Sequence, residues 1–170
     1  RLSVFSLALA ILDEVNLDPP TWGKLKFPDM SDNIITKDFF EFITDNPPND
    51  FSLVIGNPPF NPPQIGDEKK QTNNGEYIKS VKEKYEYKSE IKIPDENLAL
   101  HFLVQSMKIL KEGGLLSMIQ PSGPLLYQKD IKFKKDIFFP YNLLQIIDFT
   151  KLADKIWGRK NVATAAIFLK

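Results

Sequence analysis

Residues 51–60, which read FSLVIGNPPF, constrain the fold more than any other segment of the chain. The apolar, β-branched run predicts a buried strand over residues 51–56. The paired prolines after Asn57 cannot continue that strand, because proline lacks an N–H and fixes φ near about −65°. Open α/β sheets bind their ligands at the carboxyl ends of their strands. We therefore expect a ligand site at the rigid turn that begins with Asn57.

The residue types in this turn suit the recognition of a planar amine. The side-chain carbonyl of Asn57 and the backbone carbonyl of Pro58 can accept the two N–H bonds of an exocyclic amine, which localises the nitrogen lone pair. Phe60 offers an apolar face on which a base can stack, a contact that contributes about 1–3 kcal/mol. Such a site would accelerate a reaction by alignment rather than by covalent catalysis.

The alternative is that Asn-Pro-Pro is only a stiff turn, and the chain contains two further copies for comparison. The copy at Asn46 has no strand before it and no aromatic residue after it. The copy at Asn61 follows directly behind Phe60 and runs into Gln64. We interpret both as plain loop, so that the strand before Asn57 and the ring after it favour a functional role for this copy alone.

Residues 57–60 resemble the Asn-Pro-Pro-Phe/Tyr signature of the S-adenosylmethionine-dependent methyltransferases that modify the N6 amine of adenine in DNA. Further segments resemble that family in the same order. Residues 34–40 resemble the strand and the acid–aromatic pair that hold the donor's adenine, and residues 100–114 resemble the helix after the catalytic loop. Residues 115–122 resemble the fifth strand with its terminal Pro-Ser, and residues 155–164 resemble a hairpin whose aromatic residue covers the flipped base.

The resemblance implies a role for each matching residue. Asn57, Pro58 and Phe60 would be the catalytic residues, and Asn57, Phe60 and Trp157 would bind the substrate base. The cofactor would be S-adenosyl-L-methionine, and its adenine would be held by four residues: Asp38, Phe39, Pro59 and Phe102. The implied fold is α/β, a partial Rossmann-like methyltransferase sheet that is mostly parallel and ends in an antiparallel strand pair.

The glycine-rich loop that cradles the methionine end of the donor in this family has no counterpart here. No glycine precedes Gly23, and no Gly-x-Gly occurs in the chain. We therefore expect residues 1–170 to be the C-terminal part of a methyltransferase catalytic domain, with an incomplete donor site and weak or absent donor binding. An unpaired apolar edge at residues 52–56 would then invite self-association.

The composition excludes several kinds of site. The chain has no cysteine and one histidine, His101, so it has no disulfide, no predicted metal site and no cysteine nucleophile for methylation of cytosine at C5. We expect His101 to be a packed or half-exposed helix residue. The 22 basic and 22 acidic residues balance, so we expect target recognition to lie in a separate domain of the parent chain. Local excesses of cations occur at residues 129–135 and around Trp157.

The pattern of apolar and polar residues predicts alternating helices and strands. We expect helices at residues 2–15, 39–43 and 129–138, and a helix capped by Asp95 and ended by Gly113 and Gly114. Strands are expected at 34–36, 51–56, 115–120, 143–149 and 162–169, with loop at 16–33. Residues 61–95 form a polar insert, for which a solvated loop with some helix and a flap over the substrate are both open. The apolar opening is too short to span a bilayer, which needs about 20 residues.

The sequence thus predicts a prokaryotic, cytoplasmic DNA adenine-N6 methyltransferase of the restriction–modification type. Its expected partners are DNA and the remainder of the parent chain, without a membrane. Two alternatives remain open. The same turn could hold a protein glutamine or an RNA base, because each presents a planar amine. The chain could also be a non-catalytic remnant that binds partner chains through its strand edge.

Overall fold

The computed structural model describes residues 31–45, 50–62, 73–158 and 162–170, and the chain divides into two compact units, residues 1–38 and 39–170. In the first unit, a 3₁₀ turn at Ser31–Asn33 leads into irregular chain. The strand expected at 34–36 is therefore wrong, since a run of three residues has no described strand to pair with. Expectations for residues 2–15, 16–30, 46–49, 63–72 and 159–161 lie outside the described residues.

The second unit contains a mixed sheet of four described strands. These are β1 (Phe51–Gly56), β2 (Leu110–Pro121), β3 (Leu143–Asp148) and β4 (Thr164–Leu169), in the order β1-β2-β4-β3. β1 and β2 are parallel, whereas β4 is antiparallel to both β2 and β3. The α/β class and the antiparallel pair β3–β4 are confirmed. The expected mostly parallel pairing is wrong for the described strands, because β4 inserts between β2 and β3.

Five described α-helices accompany the sheet: α1 (Phe39–Asp45), α2 (Asn74–Tyr85), α3 (Leu98–Lys108), α4 (Ile131–Phe138) and α5 (Ala153–Trp157). A π-helical turn at Gly123–Tyr127 follows β2. Asn97 caps α3, because its side chain accepts a hydrogen bond from the Leu100 backbone N–H at 3.2 Å. The expected cap at Asp95 is wrong. Asp95 lies instead in a 3₁₀ turn, Pro94–Glu96, with a left-handed φ of 51°.

The boundary between α3 and β2 also differs from the expectation. The helix ends at Lys108, and β2 begins at Leu110, so Gly113 and Gly114 lie within the strand instead of ending the helix. Gly113 has a φ of +74°, and a Cβ on Gly114 would lie 3.0 Å from the Phe51 carbonyl oxygen. Glycine suits both conditions. The pair lies where the register between β1 and β2 shifts, between the partners Leu110 and Leu115.

The main core lies between one face of the sheet and helices α3 and α4. Its buried residues include Leu103, Met107, Leu116, Met118, Phe133, Ile137, Ile167 and Leu169. β1 joins this core through Val54, whereas Leu53 and Ile55 are 53% and 72% exposed. The prediction of a buried strand is therefore wrong for β1, because the described helices of the main core meet its Val54 face alone.

A second cluster consists of the buried residues Phe40, Ile78, Val81, Tyr87 and Leu98, which come from α1, α2, the following loop and the start of α3. Helix α2 and Tyr87 belong to the segment for which the sequence predicted either a solvated loop with some helix or a flap. The helix is present as α2, but the described part of the segment is not fully solvated, because it contributes buried side chains to a core. No helix among the described residues is long and apolar enough to cross a membrane.

Candidate active site

One end of the sheet collects the segments that the sequence singled out. Strands β1, β2 and β3 end there, and β4 begins there, because β4 runs antiparallel to its neighbours. A cavity of about 280 Å³ lies at this end, lined by Asn57, Pro58, Phe60, Trp157 and Val162. The structure therefore brings together both the turn after β1 and the tryptophan that lies about one hundred positions further along the chain.

The turn after β1 presents its groups unequally. Asn57 is exposed, Pro58 is buried and Phe60 is half-buried. Directly before them, the Gly56 backbone passes so close to Met118 that an added Cβ would lie 3.2 Å from the methionine Cε. The buried proline and the close approach of β1 to β2 anchor the turn, while the Asn57 amide remains accessible at the mouth of the cavity.

Trp157 is held in place by a hydrogen bond to the sheet. Its indole Nε1–H donates to Thr164 Oγ1 at 2.9 Å, and Thr164 is fully buried at the start of β4. Gly158, with a φ of +64°, follows the last helical residue of α5. The expected hairpin is thus a longer connection that contains a 3₁₀ turn and α5. Trp157 is 37% exposed, and it lines the cavity.

A chain of hydroxyl groups lies at the same end of the sheet, and sequence reasoning missed it. The hydroxyls of Ser122 and Thr150 lie 2.9 Å apart, and Thr150 donates to the Asp148 carboxylate at 2.6 Å. Tyr127 donates to the same carboxylate at 2.6 Å. The hydrogen bonds from Thr150 and Tyr127 lower the pKa of Asp148. The expected Pro-Ser at the end of β2 therefore helps to tie the β2 and β3 ends together.

The residues expected to hold the donor's adenine are only partly brought together. Phe39 and Phe102 stack face to face, with ring centroids 4.3 Å apart and an interplanar angle of 14°. A planar group can therefore pack against an outer face of this pair but not between the two rings. Pro59 is exposed beside the cavity turn. Asp38 is half-buried in the unit of residues 1–38.

A comparison with protein-family models matches residues 11–155 to the Eco57I restriction-modification methylases. The chain belongs to this family. It is therefore a methyltransferase of the restriction–modification type, as the sequence predicted. The matched range contains Asn57, Pro58 and Phe60 but stops before Trp157 and Val162. A comparison with curated proteins finds no match.

The methylase contains a buried polar network that no local motif indicated. His101 is 1% exposed; its Nδ1 lies 2.8 Å from the Tyr87 hydroxyl, and its Nε2 lies 2.9 Å from Glu96 Oε2. Gln105 Nε2 donates to the Tyr87 hydroxyl at 3.2 Å, and Lys82 Nζ donates to Glu96 at 3.0 Å. The packed role expected for His101 is correct. Its polar partners are distributed over residues 82–105, so no short motif reveals them.

Burial determines the protonation of this network. It lowers the pKa of His101 to about 4, against the opposing effect of the hydrogen bond that His101 donates to Glu96, and it raises the pKa of Tyr87 to about 12. Burial opposes ionisation of Glu96 as well, but hydrogen bonds from Lys82 and His101 leave its pKa lowered. At neutral pH, a neutral His101 therefore donates from Nε2 to the Glu96 carboxylate and accepts at Nδ1 from Tyr87.

A larger cavity, of about 740 Å³, lies elsewhere in the methylase. Its lining includes Lys132, Lys135, Pro140 and Tyr141, and the last two lie just before β3, separated from it by one residue. That position is the amino end of β3, whereas open sheets bind ligands at the carboxyl ends. The smaller cavity at Asn57 is therefore the better candidate for the active site.

Proposed function

We propose that this methylase transfers a methyl group from S-adenosylmethionine to the N6 amine of adenine in DNA. The observation that carries the proposal is the cavity at the end of β1, where Asn57 and Pro58 lie with the rings of Phe60 and Trp157. Two acceptors and two aromatic rings match the two N–H bonds and the two faces of an adenine base. A duplex hides these groups, so the base would enter the cavity by flipping.

Within the cavity, Asn57 and Pro58 orient the reacting nitrogen. The Asn57 side-chain carbonyl and the Pro58 backbone carbonyl accept the two N–H bonds, which draws the nitrogen towards a tetrahedral shape and localises its lone pair. Phe60 and Trp157 hold the ring in plane. None of the described lining residues titrates, so the proton lost by the alkylated amine passes to solvent at the open mouth beside Asn57.

The donor, when bound, supplies a methyl group on a positively charged sulfur. Phe39 and Phe102 fit its adenine, because both rings are half-buried and offer flat apolar surface beside the second cluster. Pro59 connects that surface to the turn, since it follows Pro58 directly in the chain. Asp38 directly precedes Phe39 in the chain, and its assignment to the donor rests on the resemblance to the family alone. Phe39, Phe102 and Pro59 would bind and orient the donor, and no covalent step involves them.

The composition of the cavity favours a purine base over the amide of a protein glutamine. Two aromatic side chains suit a flat purine better than the narrow amide of a glutamine side chain. RNA presents the same base, and only the substrate test separates it from DNA. The restriction–modification family also favours DNA, because these systems distinguish DNA by its methylation.

The test offers methyl-labelled S-adenosylmethionine to the full-length protein with DNA, RNA or protein as separate acceptors. We expect label in DNA, recovered as N6-methyladenine. Asn57→Ala should reduce this transfer by about 100- to 1,000-fold, the usual cost of removing one hydrogen bond to a developing charge. Asn61→Ala is the matched control, because Asn61 is exposed and lies in a neighbouring copy of the same tripeptide. Label in RNA or protein alone would contradict the proposed DNA substrate. Absence of label from all three acceptors would contradict the proposed methyl transfer.

A further inference from the structure

We propose that the chain of hydrogen bonds from Gln105 through Tyr87 and His101 to Glu96 is a positioning network for the donor's adenine. It would fix the aromatic pair of Phe39 and Phe102 at the angle that the adenine requires. The inference rests on the proposed function, since it assumes that this aromatic pair holds the donor. It assigns a role to four polar side chains of which none lines the cavity at Asn57.

The network has a single direction. The Glu96 carboxylate can only accept, so His101 donates to it from Nε2 and accepts at Nδ1 from the Tyr87 hydroxyl, whose oxygen accepts from Gln105 Nε2. Tyr87, His101 and Gln105 are all at most 4% exposed, so water does not compete for their hydrogen bonds. Each donor meets one acceptor, and the imidazole is therefore held in one tautomer and one orientation.

The network is in contact with the aromatic residues on its apolar side. The Tyr87 ring lies 4.9 Å from the Phe40 ring, and the Phe40 ring lies 5.1 Å from that of Phe102. Phe40 also packs edge-on against Phe39, at 5.5 Å. A rotation of Tyr87 would therefore displace Phe40, which supports both stacked rings. His101 and Phe102 are moreover consecutive on α3, so a shift of one backbone moves the other.

The network also joins three parts of the chain that are separate in sequence. Lys82 lies on α2, Glu96 lies in the turn before α3, and His101 lies on α3. Glu96 has a left-handed φ of 46°, a conformation that a non-glycine residue adopts only when its surroundings hold it. The ion pair from Lys82 and the bond from His101 supply that restraint. The residues that support the aromatic pair are therefore held in position by hydrogen bonds as well as by apolar packing.

The test compares Tyr87→Phe with Tyr85→Phe in the full-length protein. Both changes remove one hydroxyl from a ring that packs in or against the second cluster. The Tyr87 hydroxyl bonds His101, Gln105 and Ser89, whereas the Tyr85 hydroxyl accepts from the exposed Lys84 Nζ at 2.8 Å. Donor affinity is measured by calorimetry without acceptor, and KM for the donor and kcat are measured by methyl transfer.

We expect Tyr87→Phe to weaken donor binding and raise KM for the donor by about tenfold, which corresponds to about 1.4 kcal/mol, while kcat at saturating donor stays within about twofold. Tyr85→Phe should change neither quantity. If Tyr87 had a purely structural role, Tyr87→Phe would instead lower the folded fraction. The apparent kcat in the methyl-transfer assay would then fall, while the donor affinity of the folded protein would be unchanged.

A conservative pair at Glu96 provides a second test. Glu96→Gln keeps an oxygen that accepts from His101, so it should retain donor affinity within about threefold, whereas Glu96→Ala should reproduce the loss seen in Tyr87→Phe. Equal donor affinity in Tyr87→Phe, Tyr85→Phe and the unaltered protein would overturn the inference alone. Absence of donor binding in the unaltered protein would overturn the proposed function together with it.

Discussion

The two regions assigned to substrate and donor are built in different ways. The cavity at Asn57 is an open site at the sheet end, formed by a rigid turn and by one tryptophan that a single hydrogen bond holds to Thr164. The second cluster is closed, and its rings rest on a buried network around His101. On the proposed function, the open region would admit and release a base of DNA. The closed region would need only to present a flat, fixed surface to the donor.

This difference determines what each substitution should change. The Asn57 side chain in the open cavity is exposed and contributes little to folding, so its loss should affect the reaction. A side chain in the closed network is buried and hydrogen-bonded, so its loss should affect both folding and donor affinity. Stability and activity measured on the same variants therefore separate the two regions.

The largest effect on stability is expected from pH acting on His101. Its pKa is about 4 in the folded protein and near 6.5 in the unfolded chain, so the unfolded state binds the additional proton. The contribution of His101 to the free energy of unfolding is therefore fully present above about pH 6.5. It decreases by about 3 kcal/mol in total as the pH falls from about 6.5 to about 4. Urea unfolding across this range measures it. Tyr87, Glu96 and Lys82 are the titratable groups of the network.

His101 is the only histidine in the chain, so a variant without it is a direct control. In His101→Asn, we expect the free energy of unfolding to be lower at pH 7 but nearly independent of pH between about 6.5 and 5. Below that range, the titration of carboxylates dominates the pH dependence of the free energy of unfolding. The same slope in both proteins would show that another group causes it.

The next largest effect is expected at Trp157. Removing its ring with Trp157→Ala should reduce kcat/KM for the acceptor by about 5- to 150-fold, because stacking on an aromatic residue contributes about 1–3 kcal/mol per base. Trp157→Phe keeps an aromatic ring but removes the hydrogen bond to Thr164, and it should reduce kcat/KM for the acceptor by less than Trp157→Ala. Donor affinity should not change in either variant. A loss of donor affinity equal to the loss of acceptor kcat/KM would contradict the division between the two regions.

The smallest effect is expected from a buried glutamine outside both regions. Gln120 on β2 is fully buried, and no group of the described residues hydrogen-bonds its side-chain amide. Gln120→Met should therefore raise the free energy of unfolding, by about 1–2 kcal/mol, because it removes an unsatisfied amide. Gln105→Met is the matched control: it makes the same change at a buried glutamine that does bond Tyr87, and it should lower stability. Equal destabilisation by both would refute this expectation.

The sequence predicted the features that depend on neighbouring residues. The strand before Asn57 has the bounds expected, because a β-branched run and a Pro-Pro turn define both of its ends. The predicted strands 143–149 and 162–169 correspond to β3 and β4 within two residues. The helical turn after Asp38 also forms, as α1. Gly113 was misread as a helix end, since a left-handed glycine suits an irregular strand as well as a helix terminus.

Features that depend on distant residues were not predictable. The position of β4 between β2 and β3 follows from packing, and no local signal distinguishes it from an outer strand. The partners of His101 are Tyr87, fourteen residues away, and Glu96, in a strained turn. Trp157 was assigned to the site only by resemblance to a family, and its hydrogen bond to Thr164 was not predicted from the sequence.

The most direct test measures donor affinity and turnover together for Asn57→Ala and Tyr87→Phe in one assay. We expect Asn57→Ala to bind S-adenosylmethionine within about twofold of the unaltered protein while its DNA methylation falls by at least about 100-fold. Tyr87→Phe should show the opposite, with weakened donor binding and retained turnover at saturating donor. If Asn57→Ala methylated DNA at the normal rate, the cavity at the end of β1 would not be the site of transfer.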